Sequence, residues 1–313
     1  MAVDVGLLFY SEMDAPEPWR EALGRELPEI EFRVWPDVGG VEDIRYALVW
    51  KPPPGLLGGL PRLKAIFSLG AGVDGILLDP ALPAHVPLTR MVDAGLAGQM
   101  SEYALYATLH FHRCMDRYAQ QQRRKHWGPL PAVPAEERVV GVMGLGVLGG
   151  DFACKAAALG FRVAGWSRSH RQLDGVTVFE GDSGFEPFLR QTQILLNFLP
   201  LTPQTAGILN ARTFALLPRG ACIVNIARGG HLVEADLLSA LDSGQLNGAM
   251  LDVFATEPLP AGHPFWNHPG IVVTPHIAAQ AIAELMIEQV VENIRRIERG
   301  EAPLGLVDVR RGY

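Results

Sequence analysis

Three side chains in the second half of the chain have the types and spacing for proton and charge chemistry. They are Arg228 in VNIARGG, Glu257 in LDVFATEPLP and His276 in VVTPHIAA. An imidazole delivers a proton to an oxygen near neutral pH. A carboxylate beside it orients the ring and favours the protonated form. A guanidinium grips a carboxylate and polarises a neighbouring carbonyl. Together they suit hydride addition to a 2-oxo acid, where carbon takes hydride and oxygen takes a proton. Singly, each has a plainer reading: a His after a strand is commonly a cap or core residue, a Glu before Pro is loop surface, and an Arg in ARGG is structural. Their joint placement after apolar strands is the informative part. In an open parallel sheet the ligand crevice lies outside the carboxyl ends of the strands.

A hydride needs a carrier, and VVGVMGLGVLGG supplies a place for one in Gly144-x-Gly146-x-x-Gly149. The pattern alone is weak in a chain with 34 glycines. Its context raises it, because a strand precedes it and a helix, read as Val147–Leu159, follows. Gly144 permits the tight turn, Gly146 lets backbone approach a pyrophosphate, and Gly149 lets helix and strand pack closely. Val147 and Leu148 then open the helix, where free N–H groups and the positive dipole end meet phosphate. About twenty residues on, where an acidic residue would bind the adenosine ribose, the chain reads GWSRSH. A carboxylate there would repel a 2′-phosphate. Ser167, Arg168 and Ser169 do the opposite, since a guanidinium pairs with phosphate and hydroxyls add donors. His170 and Arg171 extend the positive patch, and Asp174 stands too late for the ribose role. NADP(H) is therefore the expected cofactor, with NAD(H) the alternative.

These residues need a scaffold of alternating strands and helices. Short apolar runs VGLLFY (5–10), EFRVW (31–35), ALVW (47–50) and KAIFSL (64–69) form a first α/β series, the third ended by Pro52-Pro53-Pro54. One long helix is expected from about Gln99 to Lys125, apolar at Tyr103, Leu105, Tyr106 and Leu109, with a basic, solvated end at Arg113, Arg117, Arg123, Arg124 and Lys125. GPLPAVPAEER (128–138) reads as a linker or surface loop. A second series follows: RVVGVM, RVAGW (162–166), ILLNFL (194–199), ACIVNI (221–226), GAMLDVF (248–254) and IVVTP (271–275). An amphipathic helix over about Ile282–Arg299 closes it. The fold class is α/β with parallel sheets.

Composition sets bounds. The chain has 313 residues, 48% hydrophobic and 19% charged, enough for two domains with sizeable cores. A net charge of −7 gives nucleic-acid binding no bulk support. No apolar run approaches the roughly 18 residues of a membrane span. MAVDVGLLFY lacks a basic leader and reads as a first strand. Cys114, Cys154 and Cys222 form no CxxC and read as buried thiols in a reducing, cytoplasmic setting. No HExxH or Cys/His cluster offers a metal site, and no Tyr-x-x-x-Lys or GxSxG is present. His110 and His112 read as structural.

The motifs GLGVLG, VNIARGG, LDVFATEPLP and TPHIAA together resemble the D-isomer-specific 2-hydroxyacid dehydrogenases over nearly the full chain. LGAGVDGIL, MGLGVLGG, WSRS, NFLPLTPQT, GAMLDVF and the terminal RGY are most similar to the glyoxylate/hydroxypyruvate reductase A subgroup. The resemblance implies Arg228, Glu257 and His276 as the catalytic set, with His276 the proton donor. It implies that backbone N–H groups of the loop Leu69, Gly70, Ala71, Gly72 and Val73 grip the substrate carboxylate, and that Trp50 in WKPPP stands near the substrate. It adds Leu199, Pro200, Thr205, Ala227 and Asp252 to the cofactor contacts, along with His276. It also implies two Rossmann-like domains: residues 100–284 bind the cofactor and are inserted into a discontinuous, flavodoxin-like substrate domain of residues 1–99 and 285–313. Hinge motion would exclude water, and a homodimer would form through the cofactor domain.

The expected reaction is NADPH-dependent reduction of glyoxylate to glycolate and hydroxypyruvate to D-glycerate. One departure opens an alternative. Members of the subgroup often carry a polar residue shortly after the catalytic His, and here the stretch is AAQAIAELM, with Ile282. A larger or more apolar 2-oxo acid with NADH is the second reading. A non-catalytic nucleotide sensor, as among the family's corepressor relatives, is the third; the chain shows no docking tail of the kind it would need.

Overall fold

The computed structural model describes residues 5–92 and 95–310. In chain order the elements begin β1 (Val5–Tyr10), α1 (Pro16–Glu26), β2 (Ile30–Val34), β3 (Ile44–Val49), β4 (Ala65–Ser68), α2 (Asp74–Leu77) and β5 (Leu88–Thr89). Then come α3 (Leu96–His112), α4 (Met115–Arg123), β6 (Val139–Met143), α5 (Val147–Ala158), β7 (Arg162–Ser167), β8 (Val176–Glu180), α6 (Gly181–Gln191) and β9 (Ile194–Asn197). The chain finishes with α7 (Ala211–Leu216), β10 (Ala221–Asn225), α8 (Glu234–Asp242), β11 (Leu246–Leu251), β12 (Ile271–Val273) and α9 (Ala283–Glu298).

Two compact units result: Met1–Leu96 with Ala281–Tyr313, and Ala97–Gln280. The first holds a five-stranded parallel sheet in the order β2-β1-β3-β4-β5, the flavodoxin-like order. The second holds seven parallel strands in the order β12-β11-β10-β9-β6-β7-β8. That is the doubly wound dinucleotide-binding order with one strand added, and its switch point lies between β6 and β9.

The inner strands β6, β9 and β10 of the second sheet read as apolar runs because both faces are covered. Met143, Leu195, Ile223 and Ala249 pack into one core. Their neighbours Val142, Leu196, Val224 and Met250 pack into the other. Each of these side chains larger than Ala249 contributes about 1.5–3 kcal/mol on burial. In the first unit, Leu8, Ala47, Val49 and Ile66 anchor one core face.

The structure corrects several expectations. The single helix expected over Gln99–Lys125 is two helices, because Cys114 takes a left-handed backbone (φ 55°) between them. On α3, Ala104, Ala107 and Phe111 are buried, while Tyr106 and Leu109 face solvent. The Pro-rich stretch 128–138 lies inside one unit and is a surface loop, not a linker. Two strands went unread: β5 is two residues long, and β8 (VTVFE) is a half-exposed edge strand with no apolar run. Only Cys222 of the three thiols is fully buried; Cys114 and Cys154 are half-buried. No helix among the described residues is long and apolar enough to cross a membrane.

Candidate active site

The Gly-rich loop leaves the carboxyl end of β6. Gly144 sits at φ 95°, a backbone that disfavours any side chain. A Cβ on Gly149 would lie 2.0 Å from the Gly144 carbonyl oxygen, so α5 can begin this close to the strand only with glycine there. Gly146 is the N-cap of α5, and a Cβ on it would meet nothing within 4 Å. That side is open space over a helix terminus with no acidic residue in its first turn. Val147, Leu148 and Gly149 contribute N–H groups that no turn of the helix can satisfy. The arrangement fits a pyrophosphate.

At the end of β7 the ribose-end loop differs from the expected run of free donors. Ser167 is buried, and its hydroxyl donates to the Ser169 carbonyl at 2.6 Å. Arg168 and Ser169 are exposed. His170 pairs through Nδ1 with the Glu180 carboxylate at the end of β8, so the positive patch carries a carboxylate the sequence reading did not place there.

The three candidate catalytic residues follow three adjacent strands, β10, β11 and β12. Glu257 Oε2 lies 3.0 Å from Nδ1 of His276, and both side chains are about four-fifths buried, with 19% and 18% exposed. Its other oxygen accepts from the Phe254 N–H at 3.0 Å. His276 has φ 57°, a left-handed backbone that costs a non-glycine residue roughly 1–3 kcal/mol. Asp252 compensates. Its carbonyl accepts the His276 N–H at 2.8 Å, and its carboxylate accepts the N–H groups of Ile277 at 2.9 Å and Ala278 at 2.8 Å. The carboxylate also takes the Thr274 hydroxyl at 2.6 Å. Burial pushes the Asp252 carboxyl above its usual range, against the pull of the Thr274 hydroxyl and these N–H groups. Both carboxylate oxygens of Asp252, expected as a cofactor contact, accept from its own chain.

Arg228 is held by its backbone. Its carbonyl accepts from Asn225 Nδ2 at 2.9 Å and faces His231 Nδ1 at 3.2 Å. The next residue, Gly229, lies against the chain after β11: a Cβ there would stand 1.9 Å from the Phe254 carbonyl carbon. Of the remaining cofactor expectations, Leu199 and Ala227 are buried at the ends of β9 and β10. The Pro200 carbonyl accepts from the Thr205 hydroxyl at 2.6 Å, a bond that shapes the loop.

In the other unit, the Trp50 ring lies on Gly70, where a Cβ would be 2.5 Å from Cζ3. Leu69 donates its N–H to the Val49 carbonyl at 3.0 Å and Gly70 donates to the Ser68 hydroxyl at 3.3 Å. Among the described residues, the N–H groups of Ala71, Gly72 and Val73 meet no acceptor.

Residues 105–278 match the model of the D-isomer specific 2-hydroxyacid dehydrogenase, NAD binding domain. The chain belongs to this dehydrogenase family. It is 47% identical to the glyoxylate/hydroxypyruvate reductase A of Yersinia enterocolitica over 99% of this chain and 100% of that protein. It is 46% identical to that of Serratia proteamaculans, with the same coverage. A D-isomer specific 2-hydroxyacid dehydrogenase from Xanthobacter autotrophicus Py2, solved with NADPH and MES, matches with a TM-score of 0.94 at 43% identity, over 99% of this chain and 100% of that one. The NADPH-dependent glyoxylate/hydroxypyruvate reductase of Sinorhizobium meliloti, solved with NADP and sulfate, matches at 0.93 and 40% identity, with the same coverage.

Within this dehydrogenase fold, several supporting residues escaped the sequence reading. Asn197 and Asn225 are fully buried where β9 and β10 end, and Asn197 Nδ2 donates to Asn225 Oδ1 at 3.1 Å. Asn197 also accepts the Leu199 N–H, so the pair fixes both loops. His231 is fully buried between the carbonyls of Arg228 and Pro200. The signal was present as a single Asn closing each of two apolar runs, where a buried amide requires partners. The terminal RGY, Arg311 to Tyr313, lies outside the described residues.

Proposed function

We propose that this chain reduces small 2-oxo acids, glyoxylate to glycolate and hydroxypyruvate to D-glycerate, with NADPH as hydride donor. The carrying observation is the His276–Glu257 pair, 3.0 Å apart beyond the carboxyl ends of the sheet that bears the Gly-rich loop. The names of the relatives support the substrate class, and the NADPH and NADP in the related structures support the cofactor. Val147, Leu148 and Gly149 would take the pyrophosphate, and Arg168 with Ser169 the 2′-phosphate. When bound, the nicotinamide supplies the hydride. His276 delivers a proton from its ring to the carbonyl oxygen, and Glu257 holds the ring and balances its charge while protonated. Arg228 neutralises the substrate carboxylate and draws electron density from the ketone. The N–H groups of Ala71, Gly72 and Val73 belong to the same proposal as carboxylate donors, with Trp50 as the adjoining apolar surface.

The chain is also proposed to work as a cytoplasmic homodimer through the cofactor unit. The free thiols support the compartment. The exposed Tyr106, Leu109 and Trp127, the last 98% exposed, support the interface. NADH as donor is the second reading, favoured by the Glu180 carboxylate on His170.

The deciding experiment is a steady-state assay of glyoxylate, hydroxypyruvate, pyruvate and phenylpyruvate, each with NADPH and with NADH. A strong NADPH preference with glyoxylate and hydroxypyruvate upholds the first reading. Turnover led by NADH, or by phenylpyruvate, replaces it with the second.

A further inference from the structure

The structure assigns Tyr103 and Thr274 as positioning residues for His276, acting through Asp252; this assignment rests on the role proposed for His276 above. Tyr103 is on α3, far in sequence from the site, and its hydroxyl lies 2.6 Å from Thr274 Oγ1. The direction of each bond follows from proton counting. Thr274 has one hydroxyl proton, and Asp252 Oδ1 receives it at 2.6 Å while also accepting the Ile277 N–H. The phenol must therefore donate to Thr274. Burial pushes Tyr103 up to about 12, so it remains a donor across the working pH range.

The relay ends on the segment that carries the imidazole. Thr274 donates its N–H to Leu251, and His276, Ile277 and Ala278 all donate theirs to Asp252. His276 thus stands, in a left-handed backbone, on a short bridge clamped at both sides by one buried carboxylate. Tyr103 is the outer support of that clamp. Loss of its hydroxyl leaves Thr274 with an unmet acceptor and loosens the near side of the bridge. A small displacement of a proton donor lowers the rate of the chemical step more than it lowers binding.

The test compares full-length Tyr103→Phe, Thr274→Val, Thr274→Ser and His276→Ala in steady-state kinetics, with melting curves. Loss of one buried hydrogen bond predicts a fall in kcat of about tenfold for Tyr103→Phe, with KM for the nucleotide unchanged. Thr274→Val, which removes both bonds, falls by about a hundredfold, and Thr274→Ser returns to within about threefold of the parent. If His276→Ala is inactive while Tyr103→Phe and Thr274→Val keep the parent kcat, the positioning role is wrong and the role of His276 stands. If kcat and KM move together with the melting temperature, and serine does not rescue, the relay is only structural and the assignment falls. Full turnover by His276→Ala would remove the role of His276 itself, and the assignment with it.

Discussion

Glu257 reaches His276 with one carboxylate oxygen, 3.0 Å from Nδ1, and ties the other to the Phe254 N–H. The carboxylate is thereby fixed before the imidazole is, so the ring inherits its orientation from the strand-end loop. Glu257→Gln keeps the shape and removes the carboxylate charge beside the ring. The expected result is a kcat lower by about 10²-fold, within the range for losing effective general acid catalysis. The nucleotide KM should not change. A Gln variant with the parent kcat would show that the pair is only a loop brace.

Arg168 separates the two cofactor readings. A charge-assisted contact to phosphate is worth about 1.5–3 kcal/mol, or roughly 10- to 100-fold. Arg168→Ala should therefore raise KM for NADPH by about that factor and leave KM for NADH unchanged. Equal effects on both nucleotides would mean that the arginine shapes the loop without reading the 2′-phosphate.

The parallel strands were legible because burial on both faces writes them as apolar runs: VVGVM, ILLN and ACIVN each carry the register of two cores. The same physics hid β8, none of whose residues is fully buried at the sheet edge. Motif residues such as Gly144 and Gly149 were legible because backbone geometry permits nothing else there. Asn225, His231 and Thr274 were not, since their roles arise from partners distant in sequence: Asn197, Pro200 and Tyr103. The break after α3 left no mark either, because Cys114 is an ordinary residue in an unusual backbone.

Gly229 tests how closely Arg228 depends on its backbone. A Cβ there would stand 1.9 Å from the Phe254 carbonyl carbon and 2.0 Å from its oxygen, and neither atom is the end of a flexible side chain. Gly229→Ala must displace the loop after β10 or the one after β11, and Glu257 belongs to the latter through its bond to Phe254. Overpacking of this kind costs about 1–3 kcal/mol. The variant should melt earlier and lose most of its turnover, whereas Gly146→Ala, which meets open space, should melt like the parent. A Gly229→Ala protein with parent stability would mean that the two loops are not packed together in solution.

Glu298, on α9, ties that helix to its own unit by accepting from the buried Tyr46 hydroxyl and from Lys64 Nζ at 2.7 Å. The Lys64 and Tyr46 hydrogen bonds hold its carboxyl below the ordinary value of 4.5. The folded chain then binds fewer protons at this group than the unfolded chain, so its contribution rises with pH. That contribution is complete above 4.5 and is lost as pH falls through the depressed folded value. Because the carboxylate is 49% exposed, solvent screening limits the ion pair to under about 1 kcal/mol. Glu298→Gln keeps an acceptor for Tyr46 and removes only the charge, so it isolates the pair with Lys64. Unfolding free energies from urea titrations of parent and variant should differ by about that amount at neutral pH, and the gap should narrow progressively as pH falls below 4.5. A gap that persisted in acid would place the loss in the Tyr46 hydrogen bond instead of the carboxylate charge.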